Sequence, residues 1–176
     1  MPKIPAHRAR RKPPFFRPAP VRHKTNAWGD VQQCVFLGEL YLSGSVSFAA
    51  GRVGLSRASA YRARNREGAE GFAWAWDYVL TPPGRGHVAK PRIEWRGETI
   101  VTLSRWTENG FVKPVLYQGT VKAIARKPDN SALLKLLSRM DTAQRRVDVE
   151  QEKRSGKSFE KGGVRVPPST LNQRTA

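Results

Sequence analysis

The 176-residue sequence predicts a mainly α fold: an N-terminal helix-turn-helix domain of about four helices, then a small β-hairpin and a further helix, flanked by disordered basic N- and C-terminal tails. Three observations predict it. Apolar residues recur at spacings of three and four through residues 28–80. Within that stretch Ala49 and Ala50 stand just ahead of Gly54, the spacing at which small residues and a glycine elbow let two short helices cross steeply. Further on, two β-prone runs flank Gln118-Gly119, which is a hairpin signal.

Residues 1–25 hold eight Lys or Arg, six Pro and no acid. Such a segment buries too little apolar surface to offset its ordering entropy, so a disordered arm is expected. Its prolines also oppose the amphipathic helix of a transit peptide. Asp30 followed by Gln33 resembles a capping box. Val31, Cys34, Val35, Leu37, Leu40 and Tyr41 then keep helical spacing up to Ser43-Gly44. Cys34 falls on or beside this stripe and reads as a small buried hydrophobe rather than a nucleophile.

Ser45 caps a second helix over 46–53, and Ser56 a third over 57–66. Gly68 precedes a fourth, over 69–80, with Phe72, Ala73, Trp76, Val79 and Leu80 on one face and Trp74 and Tyr78 on another. That second stripe predicts contacts on both sides of the helix. Residues 81–97 are Gly/Pro-rich and basic and read as a linker. Residues 98–109 fit a helix, and 99–103 fit a strand nearly as well. Strands are expected over 111–117 and 120–125, with Pro114 at an edge. Asp129 caps a helix carrying Leu133, Leu134, Leu136, Leu137 and Met140. The domain reading is therefore an arm (1–25), a helix-turn-helix domain (28–80), a linker (81–97), a hairpin-plus-helix region for oligomerisation or a partner (98–145) and a mostly disordered tail (146–176).

Lys and Arg number 32 against 14 Asp and Glu, a formal charge of +18. Counterion release from phosphates makes nucleic acid the natural partner of such a chain. No apolar run is long enough to cross a membrane, so no membrane partner is expected. The single Cys excludes a disulfide framework and a multi-cysteine zinc site, which points to a reducing, cytoplasmic setting. His7, His23 and His87 are scattered. Gly156-Lys157-Ser158 resembles the end of a phosphate loop, but Gln151 stands where the loop needs its first Gly. The expectation is a protein without catalysis, cofactor or metal.

Residues 45–66 carry five Arg and no acid. If 57–66 is the recognition helix of the pair, its outward residues are Ser56, Arg57, Ala58, Tyr61, Arg62 and Asn65. Arg57 and Arg62 suit guanine edges or phosphates, and the amide of Asn65 matches adenine. Arg52, Arg64 and Arg66 are candidates for phosphate contacts. Arg8, Arg10, Arg11 and Lys12 are candidate contacts of the arm with a neighbouring minor groove.

The residues Phe36-Leu37, Ser43-Gly44-Ser45-Val46, Ala49-Ala50, Gly54-Leu55-Ser56-Arg57, Ala60-Tyr61-Arg62-Ala63-Arg64 and Phe72-Ala73-Trp74-Ala75-Trp76-Asp77 together resemble the N-terminal region of small terminase subunit-like helix-turn-helix proteins of phages and prophages. Pro114-Val115-Leu116-Tyr117-Gln118-Gly119, followed by Leu133-Leu134-Lys135-Leu136-Leu137, is similar to the second half of the same group. The likeness covers roughly residues 30–140. In that family the small subunit recognises the viral packaging site, often assembles as a ring, and passes DNA to a large subunit that holds the ATPase and nuclease. The resemblance thus implies a non-enzymatic packaging-recognition component that binds double-stranded DNA as a homo-oligomer and works with a large terminase subunit. The family's linker is usually acidic and helical, whereas residues 81–97 are basic here. Two alternatives remain open on sequence: a helix-turn-helix transcriptional regulator, and a protein-interaction module, motivated by Trp74 and Tyr78, with incidental charge.

Overall fold

The structure, a computed structural model, describes residues 10–20 and 28–161. Among the described residues, six helices and one hairpin follow in the order α1 (Asp30–Ser43), α2 (Val46–Arg52), α3 (Arg57–Arg64), α4 (Glu70–Leu80), α5 (Ile100–Asn109), β1 (Phe111–Tyr117), β2 (Thr120–Lys127) and α6 (Asn130–Lys161). The mainly α fold with a hairpin and a following helix is thus as the sequence predicts. The chain divides into two units, one ending at Leu136 and one beginning at Leu137, with α6 crossing the boundary. Among the described residues, no helix is long and apolar enough to cross a membrane.

α1 is the central element of the first unit and packs against α2, α4 and both strands. Its burial therefore extends around the helix and takes in Cys34, Phe36, Leu37, Leu40 and Tyr41 as well as Gln33 and Glu39. Gly44 at φ 71° ends it, because a residue with a Cβ resists the left-handed region. The capping box does not form. Gly29 is the N-cap, Asp30 forms an ion pair with Arg126, and Gln33 turns into the core. There Gln33 accepts from Ala19 N at 2.8 Å and donates to Ala19 O at 3.0 Å and Trp28 O at 2.7 Å.

Those bonds help to explain why residues 10–20 depart from the disorder expected over 1–25. Phe16 is 1% exposed, forms an antiparallel bridge with Val112 of β1 and lies 6.0 Å from Phe72, ring to ring. Pro13, Pro18 and Ala19 are also buried. Prolines that oppose a helix also reduce the freedom that an extended segment loses on docking. Arg10 donates to the carbonyls of Tyr41, Leu42 and Ser43 in the last turn of α1, where a cation also complements the helix dipole. Arg17 pairs with Asp129 and stacks on Trp106 at 3.8 Å. Residues 1–9 and 21–27, including Arg8, lie outside the described residues.

Three further expectations change. Residues 81–97 are not a free linker: Val88 O accepts from Trp74 Nε1 at 3.1 Å, and Gly86 O accepts from Arg11 at 2.6 Å. This segment and the arm supply the contacts on the second stripe of α4, with Lys90 over Trp74 and Arg11 over Tyr78. The hairpin is not set apart from the helical domain, since both strands pack on α1. Gly38 makes that approach possible: a methyl group there would collide with Val121 Cγ2 and lie 3.3 Å from Pro114 Cβ. Finally, residues 146–161 are helical, not tail-like, because α6 runs on to Lys161. Residues 162–176 lie outside the described residues.

The ambiguous segment before the hairpin is helical. Thr99 caps α5 by accepting from Thr102 N at 3.1 Å. Gln118 at φ 47° and Gly119 at φ 70° make the two-residue turn in which both central residues take positive φ, the turn whose twist matches the flanking strands.

Candidate nucleic-acid interface

The two helices of the motif form where their caps direct. Ser45 accepts from Phe48 N at 3.3 Å and Ser56 from Ser59 N at 3.1 Å. Gly54, at φ 72°, turns the chain between them, and Leu55 N donates to Ala50 O at 2.9 Å to close the turn. Ala49, Ala50, Ala60 and Ala63 are all buried, which brings α3 close to α2 and to the core. Val53 and Leu55 are partly buried against the core on either side of the elbow.

With its alanines inward, α3 turns a polar and aromatic face outward. Ser56, Arg57, Ala58, Tyr61, Arg62 and Asn65 are all exposed. Ser56 is the N-cap and Asn65 the C-cap, so these residues span the whole helix. The side chains of Arg62 and Asn65 make no hydrogen bond, ion pair or ring contact among the described residues. Arg57 lies over the ring of Tyr61, with Cζ 5.7 Å from its centroid.

The three further arginines are held by the chain itself. Nη2 of Arg64 donates to both carboxylate oxygens of Asp77. Arg52 Nε lies 3.7 Å from Glu39, a longer pair that leaves its side chain 60% exposed. Arg66 donates to Pro20 O at 3.1 Å. In the arm, Arg10 and Arg11 are held by backbone carbonyls, while Lys12 is exposed. A phosphate contact by Arg64 or Arg10 would have to replace these bonds.

Sequence reasoning missed what stands behind α3. Trp76 of α4 is 2% exposed and meets Tyr61 at 5.4 Å, and Trp28 Nε1 donates to Ser59 Oγ at 3.2 Å. A usable signal existed: Asp77 and Glu39 are acids set within largely apolar stretches of α4 and α1, and each serves an arginine of the motif. Cys34 is buried, and that burial together with the nearby Asp30 charge pushes its thiol up from 9.0 to about 12. No group of three His, Cys, Asp or Glu among the described residues is placed to hold a metal ion.

Comparison with family models, with curated proteins and with solved structures yields no match.

Proposed function

We propose that the protein is a non-enzymatic reader of duplex DNA that lays α3 in the major groove. The observation that carries this reading is the outward face of α3: Arg57, Tyr61, Arg62 and Asn65 exposed on one short helix, in a stretch without an acid. An arginine face on a purely structural surface helix ordinarily carries interspersed carboxylates. Here Glu39 and Asp77, carboxylates of the neighbouring helices, are paired with Arg52 and Arg64 instead. The net charge of +18 supplies the sequence-independent attraction to phosphates.

The resemblance to small terminase subunits extends the proposal to recognition of a DNA-packaging site, in partnership with a large terminase subunit. One helix-turn-helix reads only a few base pairs, so a homo-oligomer belongs to the same proposal. Selection of bound duplexes from a random pool, followed by shift assays on the selected sequence, tests it. Arg57→Ala and Arg62→Ala are each expected to weaken binding with the helical circular dichroism unchanged, by about 5- to 150-fold where the lost contact is a bidentate one to a base edge. Wild-type affinity in both variants overturns the proposal. Whether the selected site lies in a packaging region or a promoter separates packaging from transcriptional control.

A further inference from the structure

We propose that Tyr61 is a positioning residue that holds Arg57 as the base-reading arginine of α3, while Arg62 supplies charge to a phosphate. This inference rests on the DNA reading above and divides its labour between two arginines.

A continuous chain of ring contacts runs from the core to the surface. Phe36, fully buried, meets Trp76 at 4.7 Å between ring centroids. Trp76 meets Tyr61 at 5.4 Å with the rings inclined at 45°. Tyr61 is 38% exposed and carries the guanidinium of Arg57, one helical turn earlier, at 5.7 Å. Trp76 also bears Arg64 at 5.9 Å, which Asp77 holds in turn. Tyr61 is therefore fixed from behind by a side chain that cannot move without opening the core.

A free arginine loses its rotamer freedom when it is fixed on a base edge. Arg57, already stacked, has surrendered part of that freedom before binding, and a base edge requires one defined guanidinium orientation. Arg62 has no such support. A phosphate asks mainly for charge within reach, which a mobile side chain provides.

The test measures discrimination, the ratio of dissociation constants for a scrambled and a pool-selected duplex, in the full chain. Tyr61→Leu is expected to lower that ratio about two- to fivefold, the worth of one exposed cation–π contact. Tyr61→Phe keeps the ring and leaves the ratio at the wild-type value. In an Arg57→Ala background Tyr61→Leu has no further effect. Arg62→Ala lowers the salt slope of binding by about one and leaves the ratio intact. Nitrogen relaxation of the Arg57 Nε–H in the free protein is expected to show greater mobility in Tyr61→Leu than in wild type. A loss in Tyr61→Phe equal to that in Tyr61→Leu overturns the proposal, since the hydroxyl would then be the contact. Additivity of Tyr61→Leu with Arg57→Ala, or unchanged Arg57 mobility, overturns it too. The relaxation measurement needs no DNA: a wild type that fails to discriminate refutes the DNA reading, while unchanged mobility refutes the positioning by itself.

Discussion

A single nitrogen of Arg64, Nη2, donates to both carboxylate oxygens of Asp77, at 2.8 and 2.9 Å, and so ties the last turn of α3 to the C-terminal part of α4. The pair is partly exposed, with side-chain exposures of 29% and 47%, and solvent screens it accordingly. Arg64→Ala is expected to cost about 1 kcal/mol of stability, the pair and the cation–π contact with Trp76 together. Chemical denaturation measures that loss. Discrimination between duplexes is expected to stay at wild type in the same variant, in contrast to Arg57→Ala.

Gln33→Leu is expected to be more damaging. It removes the partner of Ala19 N, Ala19 O and Trp28 O in buried surroundings. Unpaired buried polar groups cost about 1–3 kcal/mol each, and partial relaxation brings the expected total to about 3 kcal/mol. Urea unfolding gives the number. Limited proteolysis is expected to cut first within residues 10–20, which the glutamine holds down.

Gly38→Ala tests the seam between α1 and the hairpin. Its new methyl meets Val121, so the hairpin must shift, at about 1–3 kcal/mol. Val121→Ala in the same chain is expected to restore part of the loss, and a double-mutant cycle in thermal unfolding reads the coupling.

The pH dependence of stability follows from Cys34. Its thiol is pushed up from 9.0 to about 12 by burial, with the Asp30 charge adding to the effect. The folded state favours the neutral thiol, whereas the unfolded chain releases its proton near the ordinary value. The contribution is therefore fully present below pH 9 and is lost as pH rises from 9 to about 12. Between pH 7 and pH 10 the wild type is expected to lose about 1 kcal/mol more than Cys34→Ala. Alkylating reagents at pH 8 are expected to react with the thiol only on unfolding.

The helix-turn-helix was legible because its constraints are local. Ala49, Ala50, Gly54, Ser45 and Ser56 each answer to the backbone within a few residues, and the caps and the positive φ stand where the sequence puts them. The outward face of α3 follows from the same periodicity. What was not legible depends on partners distant in sequence. Gln33 mimicked a cap because its amide can serve backbone at either address, and only the docked arm decides between them. The arm read as disordered because its composition is polar on average, whereas Phe16, Pro13, Pro18 and Ala19 are placed to bury one by one. The pairing of Arg64 was hidden because its partner, Asp77, lies on another helix.

The arm has a kinetic consequence. Phe16 bridges to Val112, and Arg17 pairs with Asp129, 112 residues further along. Closing a loop of that length costs about 4 kcal/mol of chain entropy, against far less for the adjacent helices α1 to α4. During synthesis the helices of the motif are complete long before the hairpin emerges to receive the arm. Phe72 therefore lacks the Phe16 side chain until the ribosome has passed β1, and the arm seals the core as a late step of folding.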